Sequence, residues 1–419
     1  MKKTFLKSML AGAVGFACLT SAAQAEEVTV WAWDPNFNVA IMEEAGKQYS
    51  AEHPDVTIKV VDFAKADIEQ KLHTMLASGV TSALPDVVLI EDYNAQKYLQ
   101  SYPGSFAKMT SQINYANFAP YKVNLMTIAK DVYGVPFDTG VTGLYYRTDI
   151  LAKAGFSAKD LVNITWKRFI EIGKQVKAKT GISMLGNNPS DMGLLRVMMQ
   201  SAGAWYFNDD GSLNIKNNEG LKKSIERFRD LHVTEIARPT VGWSEWVGAV
   251  NKGTVATITS GVWITASVKS AADQAGKWAV APTPRIDMAG SANSSNLGGS
   301  SWYVLDTSKE KKQAIDFLNK TFADGTDFYE TILKNQGAVG SYIPAAKTDA
   351  YQFKDSYFAG QAIYADFAEW LVKVPEVNYG MYTYEVDDAI AAQLPAIIQG
   401  APIDKILEQI EEQLAYQIQ

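Results

Sequence analysis

Cysteine is almost absent from this 419-residue chain: Cys18 stands alone. It lies in the apolar run Met9–Leu19, after a basic start (Lys2, Lys3, Lys7) and before "AAQA", whose small residues Ala23 and Ala25 precede Glu26. That order predicts a secretory signal peptide over residues 1–25, cleaved after Ala25 and removing the cysteine. The run falls short of the ~20 apolar residues that span a bilayer. The context "GFAC" also puts Phe16 where a lipid-attachment site takes a small or branched residue. Without cysteine the exported chain has no disulfide and no thiolate metal ligand. Export without disulfides fits a bacterial periplasm, where a large core replaces covalent staples.

Histidine is scarce too. His53, His73 and His232 fall on predicted helices or at a helix end, with no metal-ligand spacing. The adjacent Tyr145 and Tyr146 fall in a strand, so their rings point to opposite faces and do not converge on a cation. No metal and no cofactor is expected. "GxSxG", "HExxH" and phosphate-loop patterns are missing, which removes the common hydrolase and nucleotidase signatures. Basic charge is in deficit, with 39 Lys and Arg against 46 Asp and Glu. Nucleic-acid binding draws its affinity from phosphate neutralisation, so no nucleic-acid partner is expected. No later segment is long and apolar enough to cross a membrane, and no repeat or low-complexity tract interrupts the chain.

Alternation and helical spacing are what the chain has in quantity. "EEVTVWAWD" reads as a strand with Val28, Val30 and Ala32 on one face. A helical stretch ends before Pro54, "VTIKVVDF" is a strand, and "ADIEQKLHTMLASG" is a helix stopped by Gly79. "PDVVLIEDYN" is a near-continuous apolar run, as in a parallel strand buried on both faces. Strand and helix alternating in this way predict an α/β domain with a parallel core. Further on, "ITWKRFIEIGKQVKAKTG" has helical spacing with Thr165 as N-cap. "GTVATITSGVWITASV" reads as strand, glycine turn and helix start. "KWAVAPTPRI" and "GSSWYVLDT" are strands, and the chain from Tyr357 onward is mostly helical. A chain of this length holds two or three domains.

Taken in order, "VTVWAWD", "PDVVLIED", "YGVPFDTGVTGLYYRTDILAKAGF", "TWKRFIEIGKQVK", "NKGTVATITSGVWI", "WAVAPTPRI" and "LGGSSWYVL" carry a resemblance across nearly the whole exported chain. It resembles the family 1 extracellular solute-binding proteins of ABC importers, the maltose-binding-protein-like group. Within that group it looks most like the lactose- and arabino-oligosaccharide-binding members. The resemblance implies a two-lobed periplasmic binding protein fold of type II, each lobe a mainly parallel sheet flanked by helices, with the ligand in the cleft between lobes. Lobe 1 would hold residues 26–139 and return over 285–340. Lobe 2 would hold 140–284 and the C-terminal helical part, 341–419. "PFDTGVTG", "APTPR" and "GSYIPAA" mark the three transitions, and Gly and Pro borders suit a hinge. The implied function is the periplasmic substrate-binding component of an ABC sugar importer. It would capture a neutral mono- to oligosaccharide, lactose-like or arabinose-containing, and pass it as a monomer to permease transmembrane subunits driven by a separate ATPase.

A neutral sugar offers apolar C–H faces to aromatic rings, and hydroxyls to carboxylates and amides. Ligands of open α/β sheets sit beyond the carboxyl ends of strands. The candidates are therefore Trp33 and Asp34 after the first strand, Asp92, Tyr93 and Asn94 after the third, and Asp138 in the first crossing. Asn187, Asn188 and Asp191 precede a helix start, where Asn188 and Asp191 also read as helix caps. Trp243 and Trp246 flank Glu245. Trp263 follows Gly261, on a backbone that the glycine is expected to loosen. Gly298, Gly299 and Trp302 end the Gly/Ser/Asn-rich loop, and Trp370 and Tyr382 lie near the C-terminus. The alternative is a secreted glycoside hydrolase or a lectin-like carbohydrate-binding protein. A hydrolase needs two carboxylates about 5–10 Å apart, one with a raised pKa.

Overall fold

The computed structural model describes residues 26–418; the predicted signal peptide lies outside them. β1 (Glu26–Ala32), α1 (Ala40–Glu52), β2 (Val56–Asp62), α2 (Lys65–Ser78), β3 (Val87–Glu91) and α3 (Asp92–Ser101) follow one another as the alternating pattern predicts. Val28, Val30 and Ala32 are fully buried, as are Val87 and Val88. Burying a valine stabilises by roughly 1.5–3 kcal/mol relative to leaving it exposed, so these runs fix which faces turn inward. α2 ends at Gly79 in the left-handed conformation (φ 69°), where a Cβ is disfavoured.

β1 pairs in parallel with β2 and β3. The sheet continues through Ser300–Val304 to β4 (Gly134–Pro136), in the order β2-β1-β3, then 300–304, then β4. Those last two contacts are antiparallel. A second sheet is built on β5 (Thr142–Arg147). Beyond it come α4 (Trp166–Thr180), β6 (Leu185–Asn187), α5 (Met192–Ser201), α6 (Glu219–Val233), β7 (Ala237–Pro239) and α7 (Gly242–Asn251). β8 (Thr257–Gly261) and β9 (Trp278–Pro282) flank β5, both antiparallel to it. A mainly parallel second sheet was expected. The structure corrects this: the central strand arrives from the other lobe, and both neighbours run against it. The short β6–β7 pair beside it is parallel. Thr165 caps α4 by accepting from the Arg168 N–H at 3.2 Å. Trp166, Phe169, Ile170, Gly173 and Val176 form the buried stripe of α4.

β10 (Ser300–Val304) thus returns the chain to the first sheet. α8 (Ile363–Leu371), α9 (Thr383–Ala391) and α10 (Ile403–Gln417) complete the chain. Three segments pass between the sheets side by side. The Thr139 N–H donates to Val339 O at 3.1 Å and the Ser341 N–H to Phe137 O at 2.8 Å. The Leu297 N–H donates to Gly140 O at 2.9 Å. A Cβ on Gly140 would sit 2.0 Å from Leu297 O, so the glycine there permits close approach of two crossing strands. Residues 285–295 still bond to second-lobe elements: the Trp166 N–H donates to Arg285 O, and Ser295 Oγ to Val197 O.

Candidate functional site

A cavity of about 430 Å³ opens where the ends of β6 and β8 meet the second crossing segment. Its walls are Leu185–Asn188, Asp191, Gly193, Leu194, Thr240, Gly242, Trp243, Trp246, Thr259, Trp263 and Leu297. Three of the expected tryptophans therefore converge. Trp243 stacks on Trp263 with ring centroids 6.0 Å apart and meets Trp246 edge-on at 5.7 Å. The Trp263 Nε1–H donates to Leu297 O at 2.9 Å, and the Trp246 Nε1–H to Gly186 O at 3.2 Å. The Trp246 and Trp263 indoles are thus pinned by their polar edges to the cavity backbone. Trp243, 54 % exposed, stands at the rim.

Gly261 does not act as the sequence suggested. Its φ is −62°, open to any residue. A Cβ there would lie 2.2 Å from Trp263 Nε1, so glycine makes room for the indole instead of loosening the backbone.

Polar groups line the same space. The Asn188 side chain accepts from the Ser190 N–H at 3.0 Å and Asp191 from the Gly193 N–H at 2.9 Å. Both residues cap local structure and also line the cavity. Asn187 is held by His232, whose Nε2 lies 3.0 Å from its Oδ1. The Thr259 hydroxyl is buried, with no hydrogen-bond partner among the described residues. Thr240, Thr259 and Leu297 were not singled out by sequence. Thr259 was legible as an alternating position of a strand; Leu297 reaches the cavity only through the crossing geometry.

Other expected residues lie elsewhere. Asp92 is buried in an ion pair with the fully buried Lys122, at 2.7 and 2.8 Å. Burial raises its pKa above the ordinary carboxylate range, while the Lys122 ammonium opposes the rise. Asp138 accepts from both the N–H and the Oγ of Ser300 at 2.7 Å. These carboxylates brace the first lobe and do not line the cavity, because each has protein donors that satisfy it. Tyr93 is likewise packed away, with its ring against Trp205 and Tyr379 and the Arg196 guanidinium 4.6 Å above it. The Asn94 amide donates to Glu69. Trp302 is fully buried between Phe137 and Phe322, a core residue. Trp370 packs on Phe367 and lines a separate groove. Gly299 closes on Asp92, whereas a Cβ on Gly298 would come 3.8 Å from Trp263 Nε1. Half-buried Tyr382 precedes α9. Half-buried Trp33 and exposed Asp34 follow β1, outside the cavity walls, and Asp34 accepts from the Asn36 N–H.

Two α/β lobes joined by three crossing segments, with an aromatic cavity beside the crossing, define a solute-receptor architecture. Residues 44–355 match the bacterial extracellular solute-binding proteins, and the chain belongs to that family. It is 56% identical over 416 residues to a lactose-binding protein of Rhizobium radiobacter, covering 99% of each chain. It is 26% identical over 301 residues to an arabinooligosaccharide-binding protein of Halalkalibacterium halodurans, covering 70% of this chain and 66% of that one. Among solved structures, an extracellular solute-binding protein of family 1 superposes with a TM-score of 0.79 at 20% identity, covering 94% of this chain and 99% of the other.

Proposed function

We propose that this chain is the periplasmic receptor of an ABC sugar importer and that its ligand is a neutral disaccharide of the lactose type. The observation that carries the reading is the cavity of three tryptophans with Asn187, Asn188 and Asp191 at its wall. Ring faces take the apolar side of a pyranose; amides and a carboxylate take its hydroxyls. The near-full-length similarity to a lactose-binding protein supports the choice of sugar. Asp191 is the sole acidic residue among the cavity walls. A glycosidase needs a carboxylate pair, so the reading is a carrier and not a hydrolase.

In this reading the lobes divide near residue 140, near residue 297 (not at the 284/285 border that the sequence suggested) and near residue 340. Trp33 and Asp34 approach from lobe 1 as the lobes close, and the ligand shifts that equilibrium by its added contacts in the closed state. The closed monomer then docks on permease subunits served by a separate ATPase, after export by the leader at residues 1–25.

Thermal melting against a panel of lactose, maltose, arabinobiose and galactose tests this. Lactose at a hundred times its Kd adds about 2.7 kcal/mol to the stability of the native state and raises the melting temperature. The same incubation returns the lactose uncleaved. No shift with any neutral sugar, or steady release of monosaccharide, contradicts the reading.

A further inference from the structure

One polar side chain of the cavity wall is oriented from outside the cavity. Asn187 ends β6 and is 3 % exposed. Its backbone is fixed by the parallel pairing with Pro239 of β7 and by the Thr240 N–H, which donates to its carbonyl. Its Oδ1 lies 3.0 Å from Nε2 of His232, a residue of α6 that is not part of the cavity wall. The His232 ring packs against Phe228, one turn earlier, at 4.9 Å. Burial pushes the His232 pKa down to about 4, so near neutral pH the ring carries a single proton. Among the described residues Nδ1 has no hydrogen-bond partner, and an acceptor oxygen faces Nε2. With Oδ1 of Asn187 facing Nε2, the tautomer that completes this hydrogen bond carries its proton on Nε2.

We infer that His232 is a positioning residue of the binding site: by donating to Asn187 Oδ1 it holds the amide with Nδ2 turned toward the cavity. An unrestrained amide presents its oxygen or its nitrogen with nearly equal ease. The His232 contact removes that freedom. The wall beside β6 then offers two N–H donors, and the site selects a ligand that places an acceptor oxygen there. This rests on the cavity being the sugar site, and it adds a residue that never touches the ligand to the determinants of affinity.

A double-mutant cycle read by calorimetry with lactose as probe tests the assignment. His232→Leu weakens lactose binding about five- to tenfold, the scale of one oriented hydrogen bond. In an Asn187→Ala background the same substitution changes affinity by less than about twofold, because the group it positions is gone. His232→Gln retains a donor and stays within about threefold of the unsubstituted chain. Melting of the ligand-free variants reports folding, and Asn187→Ser replaces Asn187→Ala in the cycle if the latter does not fold. The inference is overturned if His232→Leu binds as the unsubstituted chain does, if it loses the same factor with and without Asn187, or if His232→Gln is as weak as His232→Leu. Failure of the unsubstituted chain to bind any neutral sugar is a separate result. It removes the sugar reading, and the positioning role with it.

Discussion

Trp263 enters the cavity because residue 261 has no side chain and because Leu297 O accepts its Nε1–H. In the proposed reading this half-buried ring anchors a sugar face, with Trp243 as its stacked neighbour. Trp263→Ala is expected to cost ~2 kcal/mol or more of binding, roughly thirtyfold in affinity. The ligand-free melting temperature moves much less than it does for a core tryptophan, whose truncation costs ~3–5 kcal/mol. Calorimetry and melting of the one variant separate the two roles; unchanged affinity with a large loss of stability assigns the ring to the core. His232 gives a second expectation. Its pKa is lowered from 6.5 to about 4 in the native state, so between those values the unfolded chain binds the proton first. The His232 contribution is fully present above about pH 6.5 and is lost as pH falls toward 4. The melting temperature should therefore fall more steeply over that window in the unsubstituted chain than in His232→Gln. Parallel curves would contradict the shift.

Element positions were legible in the sequence because period and capping are local. The alternation of Val28, Val30 and Ala32, the helical stripe from Trp166 to Val176, and the stop at Gly79 all appear where they were expected. Strand direction in the second sheet was not legible, since it depends on which lobe each strand enters from. The same limit misplaced Asp92. A carboxylate at the end of a parallel strand fits the rule for ligand sites, but its partner Lys122 lies thirty residues away on a different helix. Nothing local announced that pair. Trp302, by contrast, sits in the middle of its strand, and its full burial follows from that position. The Lys122 ammonium also donates to Ser300 O, so the pair ties α3, Pro120–Leu125 and β10 together. Lys122→Met is expected to destabilise by ~3–5 kcal/mol, because it leaves an uncompensated buried carboxylate. The double variant Asp92→Asn/Lys122→Met recovers much of that loss. Denaturant midpoints of the two variants check this, and equal midpoints would mean that the pair does not act as a unit.

At the scale of the whole molecule, the resemblance carried by the ordered motifs gave the two-lobed fold, and composition alone did not. What it left open was the wall of the site. Six of the expected residues, Asn187, Asn188, Asp191, Trp243, Trp246 and Trp263, come together from three separate segments of one lobe. The crossing segment adds Leu297 beside them. The first lobe touches the second through other contacts, among them Lys97 to Glu385 at 2.7 Å and the Tyr93 ring against Trp205. These contacts lie in the sequence as isolated charges and rings with no pattern of their own. A crystal structure of the chain with lactose bound tests the central claim most directly. The account predicts the disaccharide in the Trp243–Trp246–Trp263 cavity, with a pyranose face on Trp263 and hydroxyls on Asn187 and Asp191. Lactose seated instead in the groove beside Trp370, or a cavity left empty at saturating sugar, would contradict it.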